Sequence, residues 1–408
     1  MLRRKVLPLL LAVLIAIATI CWSSSAKTEA QKEIKIGVAL SSSGVFARQG
    51  ALMKNGYELW ANYANNRGGI NVSGQKYLVR MIYLDDQSDA PTAAKLVEKL
   101  ITKDNVDFLF GPFGSGMTMA SSSISEKYKK LMIAPVSNAD PLYTRGYRYL
   151  FGVLGPGKYT MITHLELLAH QNPRPVTVAI VSPDDLFSLT VAESARMGIE
   201  EYKFTKAYDE KFSKDKTDFS DIVANLRRVN ADVILSTTQT EQAMSLMKAI
   251  AQYRLDFKYF GVINGPEVPG WSRDLGKIGD YAATVSLWSP EANFECPVFG
   301  SSKKYTQLYM QTYNERPEQF AAGASGAGVI LQLAIEKAGT TDVERVRDEV
   351  SKTSRVIFFG DIVYSKGGMS IGNKGLVTQI QNQKPVVVWP QNVAQAKPLY
   401  PAPPWNRR

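Results

Sequence analysis

A chain of 408 residues, 45% hydrophobic and 21% charged, has an ordinary globular composition, and at this length it should divide into more than one core, as chains beyond roughly 250–300 residues do. Its formal charge of +10 is spread over 48 basic and 38 acidic residues with no basic stripe interleaved with aromatics, which argues against nucleic-acid binding and leaves a mild preference for anionic ligands or lipid surfaces. Two cysteines and two histidines leave little material for disulfides or a metal centre.

The chain opens on a basic cluster, Arg3-Arg4-Lys5, then an apolar run Val6–Ile20, then the small residues Ser24-Ser25-Ala26. That is the three-part pattern of a secretory signal, residues 1–26, and it predicts export to the periplasm. The run is shorter than the roughly 20 residues of a membrane span. A retained anchor is therefore disfavoured. A lipid anchor on Cys21 is disfavoured too, because bulky Ile20 precedes it. Cleavage after Ala26 removes three basic residues, taking the charge from +10 to +7. Cys296 then stands alone and is expected to be a buried small hydrophobe.

Behind the signal, Lys35–Leu40 is an apolar run, Ser41–Gly44 a loop, and a long amphipathic stretch ends at Arg67-Gly68-Gly69-Ile70. Strands are predicted at Tyr77–Leu84, Asp107–Gly111 and Leu131–Pro135, with helices at Ala90–Lys103 and Gly116–Lys129. The alternation restarts with helices Lys158–Gln171, Ser188–Tyr202, Asp218–Val229 and Thr240–Tyr253. Their strands are Val176–Ser182, Phe204–Tyr208, Asp232–Thr237 and Lys258–Ile263. Such apolar strands between helix-length segments imply two parallel sheets covered on both faces, with Gly155-Pro156-Gly157 as hinge or linker. Late helices follow at Gly300–Asn314, Ala321–Ala338 and Asp342–Lys352. They are too few for a core of their own and should pack back on the first unit. Short strands Gly360–Tyr364, Leu376–Gln381 and Val386–Trp389 come next, and the proline-rich tail, residues 390–408, is expected to be extended or disordered.

In an open parallel sheet, ligands bind beyond the carboxyl ends of the strands. Three loops stand there. Gly111–Gly116 has glycines for close backbone approach and Ser115 at a helix start, where free N–H groups favour an anion. It lacks the Gly-Lys-Ser/Thr ending of a nucleotide loop. Pro135–Asp140 and Ser182–Phe187 are the other two. Ordinary turn and cap chemistry accounts for each loop taken singly; their common position gives them weight. His164 and His170 are six apart, the wrong spacing for one helix face, so no metal and no cofactor is expected. There is no Gly-x-Ser-x-Gly elbow, and the adjacent acids Asp85-Asp86 and Asp184-Asp185 point apart in a strand, so catalysis is not expected.

Over residues 34–389 the chain resembles the leucine/isoleucine/valine-binding, type I class of ABC-transporter solute-binding proteins. The stretches that carry the resemblance are Ile34–Val38, Gly44…Gly50, Asn65–Ile70, Tyr83–Asp86, Phe110–Ser115, Ala134–Ser137, Thr144–Tyr147, Asp218–Ser220 and Ala231–Ile234. The resemblance implies a two-lobed α/β fold, each lobe a Rossmann-like parallel sheet flanked by helices, with a hinge between them. It implies lobe 1 at residues 34–154 plus 288–358 and lobe 2 at residues 155–287 plus 359–389. The ligand would be a branched-chain or other amino acid, or a related carboxylate or amide. The family's carboxylate clamp falls on Ser115, with Phe113 beside it, and on Val136, Ser137 and Asn138. Its second-lobe wall falls on Phe187 and Gln239, its ammonium-pairing acid near Glu267, and Gln49 and Phe320 fall near the cleft. Asn138 and Gln239 depart from the threonine and aromatic common there, and a cysteine pair of some relatives falls on Ser88 and Gly114. Asp184 or Asp185 are alternatives to Glu267; if no acid reaches the cleft, aromatic or aliphatic carboxylates, amides or urea remain open. The implied partners are the solute and the membrane permease, with the protein a monomer. A sensor docking on a separate receptor is the second class.

Overall fold

The computed structural model describes residues 32–290, 294–373, 375–391 and 394–408. The signal segment and Cys21 lie outside them. The first sheet has six strands in the order β2-β3-β1-β4-β5-β6. These are β1 (Glu33–Leu40), β2 (Ile70–Val72), β3 (Gln75–Asp85), β4 (Phe108–Phe110), β5 (Met132–Ala134) and β6 (Leu150–Gly152). Strands β1, β4, β5 and β6 run parallel, and β2 turns back on β3 as an antiparallel hairpin. Helices α1 (Ala47–Asn65), α2 (Ala90–Thr102) and α3 (Gly114–Lys127) connect them. Side chains of β1, β4 and β5 are almost wholly buried, as expected for strands covered on both faces.

The second sheet has seven strands in the order β17-β16-β11-β10-β9-β7-β8. Its parallel part is β7 (Thr177–Pro183), β8 (Thr205–Phe212), β9 (Val233–Ser236), β10 (Tyr259–Val262) and β11 (Ala282–Ser286). Helices α4 (Tyr159–Ala169), α5 (Leu186–Glu201), α6 (Ser220–Val229), α7 (Thr240–Gln252) and the short α8 (Pro269–Leu275) intervene. Antiparallel β16 (Leu376–Gln381) and β17 (Lys384–Trp389) finish one edge. Strands β2, β6 and β11 and helix α8 carry too few residues or too weak a period to be read from sequence.

After β11 come the short pair β12 (Glu295–Cys296) and β13 (Gly300–Ser301), helices α9 (Ser302–Tyr313), α10 (Gln319–Ala338) and α11 (Val343–Ser351), and the hairpin β14 (Ser354–Ile357) and β15 (Gly360–Val363). The helices join the first core. Helix α10 lies against α1 so closely that a Cβ on Gly56 would sit 2.1 Å from the Ala321 carbonyl oxygen, and one on Gly328 2.1 Å from the Trp60 ring. Phe359, Ile362 and Met369 also pack into that core. At Gly155 a Cβ would meet the Asn373 carbonyl oxygen at 1.9 Å, so the glycine is required where two crossing segments touch. Cys296 is buried and unpaired. His164 is buried against the Tyr259 hydroxyl at 2.6 Å, and His170 bonds the Glu166 carbonyl; neither meets a metal cluster among the described residues.

The tail is not disordered where it is described. Ala402 N–H donates to Lys258 O (2.9 Å), and Trp405 donates from its indole to Leu255 O and from its backbone to Asp256. The Arg408 guanidinium lies 4.2 Å from the centres of both the Phe257 and the Trp405 ring. Prolines suppress regular structure, but the interleaved Trp405 and Arg408 supply apolar and cation–π contacts that hold the strap to the second lobe.

Candidate functional site

In the first sheet the strand order reverses between β1 and β4, and in the second between β7 and β9. Such switch points splay the following loops apart and leave a crevice at the strands' carboxyl ends. The two crevices face each other across one cavity of about 280 Å³. The first lobe supplies Phe46 after β1, Asp89 after β3, Phe113–Met117 after β4, Val136 and Asn138 after β5, and Leu154 after β6. The second supplies Asp185–Phe187 after β7, Lys214 after β8, Gln239 after β9, Ile263 and Asn264 after β10, and Leu287 after β11. Gln319 and Phe320, at the start of α10, close one side.

Ser115 stands in the first turn of α3, one residue earlier than the predicted start, because Gly114 at φ +76 turns the chain into the helix there. No side chain caps this terminus, so its first N–H groups point at the cavity with the positive end of the helix dipole. Ser115 is 2% exposed, and its Oγ accepts from Ala139 N at 3.2 Å. Asn138 donates to Gly155 O at 2.8 Å, tying the β5 loop to the first crossing. Around the cavity Phe46, Phe113 and Phe320 form a ring cluster, with centroids 5.0 Å apart for the first pair and 5.4 Å, edge to face, for the second. Phe187 approaches from the second lobe and packs against both cores.

Of the residues expected here, Ser115, Val136, Asn138, Phe187, Gln239, Phe113 and Phe320 line the cavity, as do Ser88 and Gly114. Three do not. Ser137 points inward, bonding Thr118 at 2.6 Å and Gly114 O at 3.0 Å. Gln49 reaches across the lobes and donates to Glu241 at 3.1 Å. Glu267 lies behind the cavity wall, in a small pocket of about 50 Å³ that also holds Glu318. Desolvation pushes its carboxyl up to about 7 against the bond from Gly265 N, and the Glu318 carboxylate adds to the rise. The alternative acids are engaged: Asp184 accepts from Lys214 N, and Asp185 caps α5 through Ser188 N.

Sequence reasoning missed Phe46, Asn264 and Gln319. Asn264 follows the end of a predicted strand and Gln319 precedes Phe320, so position at a strand or helix end was the available signal. The three amides form a chain. Asn264 donates to Gln239 Oε1 at 2.8 Å, Gln319 donates to Asn264 Oδ1 at 2.9 Å and Glu267 Oε1 at 3.4 Å, and Gln319 Oε1 accepts from Leu287 N.

The periplasmic binding protein family profile matches residues 33–389. The chain is 23% identical over 335 residues to the leucine-, isoleucine-, valine-, threonine- and alanine-binding protein of Pseudomonas aeruginosa, covering 82% of this chain and 86% of that protein. It is 27% identical over 223 residues to the Leu/Ile/Val-binding protein of Escherichia coli K12, covering 55% and 58%. Among solved structures, the branched-chain amino acid transporter substrate binding protein LivJ of Streptococcus pneumoniae, in complex with isoleucine, matches with a TM-score of 0.77 at 22% identity, covering 87% of this chain and 98% of that one. A solute binding protein from R. palustris in complex with benzoate matches with a TM-score of 0.75 at 19% identity, covering 87% and 95%. Those structural likenesses carry the two-lobed fold, and the profile spans nearly all of the described chain: the protein belongs to the periplasmic binding protein family.

Proposed function

We propose that the protein is the extracytoplasmic solute-binding component of an ABC importer, working in the periplasm behind a cleaved signal. It takes a small carboxylate-bearing solute, of the amino-acid class or a related acid, and presents it to a membrane permease. One observation carries this reading: a cavity built from the strand ends of both lobes, with the uncapped α3 terminus and the Ser115 hydroxyl as its anion cradle. A cavity of about 280 Å³ holds one ring or branched chain plus a carboxylate, since about 150 Å³ suffices for benzene. Ligand touches both lobes only when the hinge is closed, so binding energy is realised as closure. The relatives and neighbours named for branched-chain amino acids and benzoate support the same class of ligand. Among the described residues no helix is long and apolar enough to cross a membrane.

A thermal-shift panel of amino acids, aliphatic and aromatic carboxylates, amides and urea on ligand-free protein tests this. A rise in melting temperature with one carboxylate is expected, by mass action on the folded state. Ser115→Ala should then lower affinity about tenfold or more while the apo protein loses no more than about 1 kcal/mol, the scale of one hydrogen bond. Silence across all carboxylates, or unfolding of the apo Ser115→Ala variant, defeats the proposal.

A further inference from the structure

The cavity is rich in hydrogen-bond donors and poor in acceptors. Its donors are the α3 terminus, the Ser115 hydroxyl and the Gln239 amide. The oxygens of the Gln239–Asn264–Gln319 amide chain are already engaged: Gln239 Oε1 accepts from Asn264, Asn264 Oδ1 from Gln319, and Gln319 Oε1 from Leu287 N. An ammonium is donor-only and needs acceptors; a carboxylate is acceptor-only and needs donors. Glu267 stands outside the cavity, and Gln319 occupies the space between, its Nε2 turned to Glu267 Oε1. The two acids of the lining, Asp89 and Asp185, each cap a helix through one oxygen, and Lys214 shares the lining with them. Most of the rest of the wall is apolar, aliphatic as well as aromatic.

We propose, building on the solute-binding reading above, that Gln319 determines specificity by withholding Glu267 from the cleft, so that the site selects an apolar, ring- or chain-bearing carboxylate without an α-ammonium. The carboxylate binds the α3 terminus. The side chain packs among the phenylalanine rings. An α-ammonium entering with it is stripped of water and meets amide N–H groups instead of oxygens, a desolvation that nothing offsets. Discrimination thus comes from an unmet charge as well as from attractive contacts.

Two isosteric pairs decide the matter: 3-phenylpropanoate against phenylalanine, and 4-methylpentanoate against leucine, each titrated by calorimetry into ligand-free folded protein. The amine-free member of at least one pair is expected to bind ten times or more tightly than its amino acid. Gln319→Ala opens a path to Glu267, so it should reduce that ratio at least tenfold by gaining the amino acid. Adding Glu267→Gln to it should restore the original preference. Amino acids binding the wild type as tightly as their amine-free partners would overturn the inference and leave the solute-binding reading intact. So would a folded Gln319→Ala protein with an unchanged ratio. Failure of all four ligands, together with every other carboxylate of the thermal panel, would overturn both. Should Gln319→Ala not fold, the wild-type pairs still decide the selectivity.

Discussion

Two buried titratable groups give stability slopes of opposite sign. Burial drops His164 from 6.5 to about 3, so below pH 6.5 the unfolded chain takes the proton first and stability falls with falling pH. Burial raises Glu267 from 4.5 to about 7, so between those values the folded chain holds the extra proton and stability falls with rising pH. Relative to wild type, Glu267→Gln should therefore gain stability as pH rises from about 4.5 to 7, by about 2 kcal/mol after discounting its partial accessibility. His164→Gln should gain as pH falls from about 6.5. Urea midpoints at pH 4.5, 5.5, 6.5 and 7.5 check both; parallel profiles for mutant and wild type would refute the assignment. At this scale sequence reading had mixed reach. Ser115 and Phe113 were legible because a glycine-rich turn entering a helix constrains its own neighbours. Gln49, Ser137 and Glu267 fall outside the cavity lining, because alternation along a loop does not say which side chain faces the cavity.

Helices form here because apolar residues recur on one face, yet α10 is buried almost all round. Its small residues permit that: Gly323, Gly326 and Gly328 let the backbone approach α1, β5 and the hairpin, and Ser325 donates to Gly56 O at 2.6 Å. Gly328→Ala would drive a methyl into Trp60, which is fully buried and cannot yield. We expect a loss of about 3 kcal/mol, seen as a lower urea midpoint with an unchanged slope. A loss under about 0.5 kcal/mol would mean the pair has slack. The element is also where the site is made: Gln319 and Phe320 open α10, so the packing that seats the helix against α1 also sets the wall of the cleft. The long α10 was readable from its length and composition, whereas three-residue strands such as β6 were not, since so short an apolar run has no period.

Across the whole molecule, contacts between the lobes hold the cleft. Gln49 of α1 donates to Glu241 of α7, and Leu186 and Phe187 pack on the first core. Glu241→Ala should leave the melting temperature of the ligand-free protein nearly unchanged and raise the ligand dissociation rate about three- to tenfold, the worth of one ordinary hydrogen bond. Stopped-flow dissociation reads this directly; an unchanged rate would rule out a latch there. The strap at residues 394–408 acts on the second lobe alone. A chain ending at Pro390 should expose Phe257 and Tyr281 and unfold at a lower temperature, while its affinity for ligand changes little.

The sequence by itself determined the class of the fold and the end of the sheets at which the cavity lies. Alternating apolar runs and amphipathic stretches specify βα units, and right-handed parallel connections put every intervening loop at one end of the sheet. Only the tertiary structure decided which polar groups line the cleft. Asn264 and Gln319 are 55 residues apart, and the bond between them joins a loop after β10 to the start of α10. The same holds for the strap, whose prolines forbid regular structure but whose Trp405 and Arg408 find partners around Phe257 in another part of the chain. Periodicity is a local property, and the withdrawal of Glu267 behind Gln319 is the outcome of packing between segments that are distant in sequence.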